Sequence, residues 1–167
     1  MLLNLSAGLL IFIAGILQVT LAPRITLLQA PADLVLLCLV AWNLQEEVEA
    51  DWRWALLGGL ILGLSSALPL WVLLIAYALV GLLIVFLRRR VWQVPLLTLL
   101  TATLLGTLIV DSISLLYLWL SASPFDLAQA INFIVVPRIV LNMVLAFPAF
   151  ALVGELSKLA LPREILP

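Results

Sequence analysis

A stretch without any charged residue, from Trp54 to Leu87, constrains this chain most strongly. It is too long for one crossing of a bilayer, which takes about 20 residues, but it suits a two-helix hairpin turning at Pro69. Similar runs fill the rest of the chain, of which 66% is hydrophobic and 10% charged. A soluble domain typically carries about 25% charged residues. Because so little polar surface is available, the outer surface of the protein must face lipid.

The apolar runs are nearly uniform and rich in Leu and Ala, which favours helices. The strands of a membrane barrel would alternate polar and apolar residues over segments of roughly 10 residues, a pattern missing here. The sequence therefore predicts an all-α, polytopic integral membrane protein with about six transmembrane helices in a single transmembrane domain, residues 1–167. The predicted helices cover residues 4–21, 31–44, 52–68, 70–87, 92–120 and 130–159.

Two predicted helices depart from a simple crossing. The second would start with Pro31 and Asp33 in its first turn, a suitable helix start. Its length is only about 21 Å, short of the ~30 Å hydrocarbon core, so it is short or continues into the acidic segment 45–51. That segment is interpreted as a solvated linker or as a docking site for a basic surface. In the last helix, Pro137 and Pro148 predict kinks or breaks because each removes a helical hydrogen bond.

The basic residues predict an orientation. With six crossings both termini lie on one side, and most basic residues fall on that side: Arg53, Arg88, Arg89, Arg90, Lys158 and Arg163. Arg24 lies in an opposite loop. The positive-inside rule therefore places both termini in the cytoplasm, and all six Trp residues lie near predicted helix ends, as an interfacial aromatic belt requires.

Little in the sequence indicates chemistry. With no His and one Cys, the usual zinc and haem ligand sets are excluded, and Cys38 is interpreted as a small buried apolar residue. A net charge of -1 gives no indication of nucleic-acid binding. Nucleotide-binding and triad motifs are missing, and Asp33 and Asp111 lack the flanking motifs of an intramembrane aspartyl protease. We expect no catalytic, cofactor or metal site, and hence no enzyme.

Asp111 and Arg138 stand out because they lie deep inside predicted helices, where lone charges are costly. Asp111 and Arg138 sit on consecutive helices at matching depths, about 12–14 Å below their outer ends. We expect them to form an ion pair, with Asn142, one turn below Arg138, as a further member of a buried polar network. The network is either a structural tether or a recognition site for a partner or ligand; alternatively, the two charges reach the interface unpaired.

Small residues recur at helical spacing on two predicted helices. Gly59 and Gly63 form a pattern that allows close helix approach, and Gly8 and Gly15 give the first helix a small face. Such patterns serve either internal packing or packing against another membrane protein. These four glycines are the candidate contacts for a partner helix.

Several segments resemble the rod shape-determining protein MreD family. They are the sequence QVTLAPR at 18–24, PADLVLL at 31–37 and the glycine-rich run GGLILGL at 58–64. The arginine run after the fourth helix, and Pro137, Asn142 and Pro148 in the last one, are also similar to that family. The resemblance extends over essentially the whole chain, with a departure at Ser65, near which the family pattern would place an Asp.

The resemblance implies a non-enzymatic scaffold in the inner (cytoplasmic) membrane of a bacterium, where it serves lateral cell-wall elongation and rod shape. The implied partner is MreC, a bitopic protein with a periplasmic coiled coil. Indirect partners are the RodA glycosyltransferase, its transpeptidase and MreB filaments. Helices 1 and 3 would receive the partner, with the lipid bilayer around them.

A second hypothesis comes from a different class. Six short helices also suit the substrate-binding S-component of an energy-coupling-factor vitamin transporter. Such a protein lines a pocket near its outer face with converging polar and aromatic groups. The residues available for this role are Gln18, Thr20, Asp111, Tyr117 and Arg138.

Overall fold

The computed structural model describes residues 2–46, 48–90, 95–121 and 126–160. Its helices are α1 (Leu2–Thr20), α2 (Leu34–Asn43), α3 (Arg53–Ser65), α4 (Leu70–Arg90), α5 (Pro95–Leu120), α6 (Leu127–Ala130) and α7 (Val136–Ala160). A π-helical turn, Ile131–Val135, joins α6 to α7. A 3-10 turn (Ala22–Arg24) and an antiparallel pair of two-residue strands, β1 (Thr26–Leu27) and β2 (Ala30–Pro31), connect α1 to α2. Apart from this hairpin, the described chain is all-α, as predicted.

Some of the predictions fall on residues outside these ranges. They concern the start of the fifth helix at residues 92–94, the orientation markers Trp92 and Arg163, and Glu47 in the acidic segment.

Among the described residues, three helical stretches are long and apolar enough to cross a membrane: Leu70–Arg89, Pro95–Leu120 and Leu127–Leu159. The other apolar helices among the described residues are shorter: Leu5–Thr20, Leu34–Asn43 and Arg53–Ser65. By length and composition, the part of the chain that the structure describes is therefore α-helical, with three candidate membrane-spanning helices.

The helix ends gather at two faces of the protein. At one, Gln18 near the end of α1 bonds the segment before α2, and Trp71 at the start of α4 contacts Tyr117 near the end of α5. At the other, Arg88 near the end of α4 bonds Asn43 at the end of α2. We call these the outer and the inner face, after the predicted orientation.

Helix α2 forms the centre of the protein. Eight of its ten residues are buried, and it contacts α1, α3, α4, α5 and α7. Ten residues span about 15 Å, roughly half the hydrocarbon core. Because other helices surround α2, its short length does not expose its ends to lipid. Of the two lengths considered for this helix, the structure shows the short one.

The start of α2 differs from the prediction. The helix begins at Leu34 rather than at Pro31, because Asp33 occupies the N-cap position and its side chain accepts a hydrogen bond from Leu36 N at 3.0 Å. Pro31 instead lies in β2.

The last helical stretch is not broken at either proline. A π-helical turn directly precedes Pro137, and Pro148 lies within α7. A proline lacks the N–H that an α-helical turn requires, and a local π turn is one way in which a helix accommodates the change in hydrogen bonding. Of the predicted kinks or breaks, the breaks are therefore absent, a local change of helix type lies just before Pro137, and the kinks stay a prediction.

The four candidate partner glycines all contact other helices of the same chain. A Cβ on Gly59 would lie 2.9 Å from both Leu73 O and Tyr77 Cβ of α4, and one on Gly63 would lie 2.6 Å from Leu70 Cδ1. Gly15 meets Ile61 in α3, and Gly8 lies beside the ring of Trp54. Gly15, Gly59 and Gly63 are buried. They are therefore not available to a partner helix in this structure, which favours the alternative of internal packing.

We expect Gly59→Ala to destabilise the protein, because its methyl group would meet α4 backbone and the Cβ of Tyr77. Overpacking typically costs about 1–3 kcal/mol, more than the roughly 1 kcal/mol that Ala gains over Gly in helix propensity. Gly8→Ala is the matched control, since its Cβ would sit at an ordinary 3.5 Å from Trp54. Thermal unfolding of both variants in detergent measures the difference. Equal midpoints would contradict the packing role of Gly59.

Candidate functional site

A cavity of about 520 Å³ lies at the outer face, among α1, β2, α3, α4, α5 and the start of α7. Its volume falls in the ~300–1,000 Å³ range of ligand sites. The polar side chains in its lining include Gln18, Asp33, Tyr77, Asp111, Ser114 and Arg138. Much of the remaining wall is apolar. This combination of apolar walls with a few charged groups makes the cavity the candidate functional site.

The predicted ion pair is present in this cavity and connects α5 to α7. Arg138 Nη1 lies 2.5 Å from Asp111 Oδ1, and the two side chains are 22% and 4% exposed. The other carboxylate oxygen, Asp111 Oδ2, and the guanidinium Nε of Arg138 are buried, with no hydrogen-bond partner among the described residues. Leaving a buried polar atom unpaired is costly, so this pair retains unused hydrogen-bonding capacity.

Asp33 is the second carboxylate of the cavity, and its oxygens are well satisfied. The hydroxyl of Tyr77 donates to Oδ1 at 2.7 Å and lies 2.8 Å from Oδ2, while Leu36 N donates to Oδ1. Asp33 and Tyr77 are both buried. The cavity therefore holds one carboxylate with its partners in place and one with a vacant oxygen.

Asn142 has different partners from those predicted. Its Oδ1 accepts a hydrogen bond from Asp33 N at 2.9 Å, and its Nδ2 donates to Thr107 Oγ1 at 3.0 Å. It thus joins α7 to α2 and α5, and its side chain bonds Asp33 and Thr107 rather than Arg138 or Asp111. The expectation that it belongs to the ion-pair network is corrected: it belongs to the capping of α2, because the start of that helix lies against α7.

Gln18 forms hydrogen bonds with backbone groups at the outer end of α2. Its amide Nε2 donates to Ala32 O at 2.8 Å, and its Oε1 accepts from Leu34 N at 2.6 Å. The first N–H groups of a helix have no partner within the helix. Gln18, Asp33 and Asn142 supply such partners here from three parts of the chain.

The inner end of α2 is held by Arg88. Its Nη1 donates to Asn43 O at 2.6 Å and its Nη2 to Gln45 O at 3.1 Å. The last carbonyl groups of a helix are the counterpart of its unpaired N–H groups, and a cation at this end is also favoured by the helix dipole. The side chain of Gln45 connects the same segment to α7, donating to Phe150 O at 3.3 Å. The sequence predicts a role for Arg88 in orientation and in the family resemblance, but not this contact with the end of α2.

The residues considered for a ligand pocket divide into two groups. Gln18, Asp111 and Arg138 line the cavity. The hydroxyl of Thr20 donates to Ile16 O within its own helix, and Tyr117 packs edge-on against Trp71, with ring centroids 5.5 Å apart. These two do not line the cavity.

Two important residues of the site, Asp33 and Tyr77, were not assigned to it from the sequence. From the sequence, Asp33 is a favourable helix start and part of the segment that resembles MreD, and its pairing with Asp111 is considered only for an aspartyl protease. Tyr77 is a single ionisable hydroxyl inside a run without charges, and a polar group in such a run needs a buried partner. That isolation is the signal by which Tyr77 could have been found.

No family model, curated protein or solved structure matches this chain. The chemistry of the site is therefore read from its own side chains. Asp33, Asp111 and Arg138 give the cavity two carboxyl groups and one guanidinium. Together with the apolar walls, these groups can bind and orient a polar molecule.

We expect Arg88→Gln to lower the free energy of unfolding by about 1–3 kcal/mol, because buried carbonyl groups at the end of α2 would lose charged donors. Arg89→Gln removes the same charge from the next residue, which is exposed, and should change stability by less than about 0.5 kcal/mol. Unfolding of both purified variants in detergent is the measurement. If Arg89→Gln is as destabilising as Arg88→Gln, net charge and not capping is responsible.

Proposed function

We propose that this chain is a non-enzymatic scaffold of the bacterial inner membrane, which binds an MreC-type partner and serves lateral cell-wall elongation. One observation supports the proposal above all: residues that carry the resemblance to MreD meet in space. Gln18, Asp33 and Asn142 are distant in sequence, yet together they hold the outer end of α2. The glycine-rich run carries the close contact between α3 and α4. The resembling motifs are thus the ones around which this fold is organised.

In this proposal six helical segments cross the membrane, and both termini lie in the cytoplasm. The positions of basic residues support this orientation: Arg53, Arg88 and Arg89 lie toward the inner face and Arg24 toward the outer one. Helix α2 is too short to span a bilayer alone, but its neighbours shield it from lipid. RodA, its transpeptidase and MreB filaments would be reached indirectly, through the MreC-type partner.

The orientation is testable by cysteine labelling. Cys38 is the single cysteine, so Cys38→Ala gives a background into which Gln29→Cys or Glu46→Cys is introduced. Both positions are exposed, the first in the outer hairpin and the second after α2 at the inner face. With a membrane-impermeant maleimide on spheroplasts, we expect Gln29→Cys to react at once and Glu46→Cys only after lysis. The reverse pattern would overturn the proposed orientation.

The scaffold role is testable by co-purification. We expect the tagged chain, co-expressed with the MreC-type protein of the same genome and extracted in mild detergent, to retain it well above an unrelated bitopic membrane protein. Size-exclusion chromatography confirms that the chain is folded and monodisperse. Recovery equal to that of the unrelated protein would reject the proposal.

A second candidate function, the substrate-binding S-component of a vitamin transporter, is favoured by the outer cavity. Its volume and its charged lining suit a small molecule. The two candidate functions can be distinguished by experiment. A scaffold retains its partner whether or not the cavity is filled, whereas a transporter component requires a ligand in the cavity and an energy-coupling partner.

A further inference from the structure

We infer that the outer cavity binds a small zwitterionic group, in which a primary ammonium lies next to an anionic oxygen. This inference goes beyond the scaffold proposal and gives the second candidate function a ligand class. It rests on the cavity alone, so its test is independent of partner co-purification.

Among the described residues, two buried polar atoms of the ion pair lack a hydrogen-bond partner and define what a ligand must supply. Asp111 is 4% exposed and lines the cavity, and its Oδ2 has no hydrogen-bond partner in the described part of the chain. The same holds for Arg138 Nε, on the other member of the pair. Oδ2 can only accept a hydrogen bond when the carboxylate is ionised, and Nε–H can only donate. A ligand that satisfies both atoms must therefore carry one hydrogen-bond donor and one hydrogen-bond acceptor.

The charges of the cavity lining limit the class of ligand further. The cavity lining includes the side chains of Asp33, Asp111 and Arg138, two acids and one base. A purely anionic ligand would meet two carboxyl groups, and a purely cationic one would leave Arg138 Nε unpaired. An ammonium placed on Asp111 Oδ2, with an anionic oxygen on Arg138 Nε, satisfies both atoms with charge-assisted hydrogen bonds.

Arg138 is the more exposed member of the pair, at 22%, which places its guanidinium on the side from which a ligand enters. Asp111 Oδ2 and Arg138 Nε are themselves buried, so binding requires the paired side chains to rotate toward the cavity. Leu62, Leu115 and Ile134 form part of the apolar wall of the cavity. A zwitterion with an apolar body suits this wall. The chemistry is shared by two sources: a free amino acid with an apolar side chain, and the aminoethyl phosphate headgroup of phosphatidylethanolamine.

The experiment uses the full chain and probes that differ in their N–H donors or their ammonium group. In nanodiscs, native mass spectrometry compares retention of phosphatidylethanolamine with that of phosphatidylcholine, whose quaternary ammonium has no N–H. In lipid-free detergent, calorimetry compares leucine with 4-methylpentanoate, which lacks the ammonium. Preference for phosphatidylethanolamine assigns the lipid source, and preference for leucine assigns the soluble one.

The variants test the assigned atoms. We expect Asp111→Asn to weaken binding of the preferred probe by about tenfold or more, the usual effect of losing a hydrogen bond to a charged group. Asp51→Asn is the matched control. Asp51 lies outside the cavity and pairs with Arg53, whose hydrogen bond lowers the pKa of that carboxyl. If Asp111→Asn does not fold, Ser114→Leu narrows the cavity without altering the ion pair.

Two results would overturn the inference. One is that neither N–H-bearing probe binds more tightly than its matched analogue. The other is that binding is the same in the Asp51→Asn control and in the cavity variants. Failure here leaves the recovery of an MreC-type partner unaffected, so the two proposals fail separately.

Discussion

The burial of both ends of α2 is the constraint on which the rest of this structure depends. A ten-residue helix spans about 15 Å, so when it lies at the centre of a bundle its terminal backbone groups are enclosed by the neighbouring helices. Unpaired backbone groups in such surroundings are costly. Here Gln18 and Asn142 bond backbone groups at the outer end, and Arg88 bonds carbonyls at the inner end. Each of these residues comes from a different helix, so capping α2 also sets the positions of α1, α4 and α7.

The same requirement explains why a polar cavity lies at the outer face. The side chains of Gln18 and Asp33, which satisfy the start of α2, also form part of the cavity wall, beside the Asp111–Arg138 pair. The residues that hold the start of α2 and the residues that could bind a ligand therefore line the same cavity. The ion pair differs from the capping residues because each of its members keeps a vacant buried atom. That vacancy is what distinguishes a site able to accept a ligand from a tether that is already complete.

Only part of this arrangement is predictable from the sequence. Asp111 and Arg138 were paired correctly because charges stand out in apolar runs and their depths could be counted along two consecutive helices. Asn142 was recognised as important, but its partner was predicted wrongly, since α2 brings the backbone of Asp33 to it from more than a hundred residues away. The glycine patterns were equally visible. Whether Gly59 faces its own chain or another protein depends on where α4 lies, which spacing alone does not show.

By itself, the sequence determined the helical class, the membrane-facing composition and the ion pair, since these follow from hydrophobicity, from helix periodicity and from the cost of lone charges in lipid. Only the tertiary structure decided that α2 is short and central, that Arg88 caps it, and that Asp33 and Tyr77 meet. The physical reason is that a helix cap can be predicted from the sequence when the capping residue is adjacent to the helix it caps, as Asp33 is to Leu36. When the partner arrives from another helix, as with Arg88 and Asn43, packing alone determines the contact.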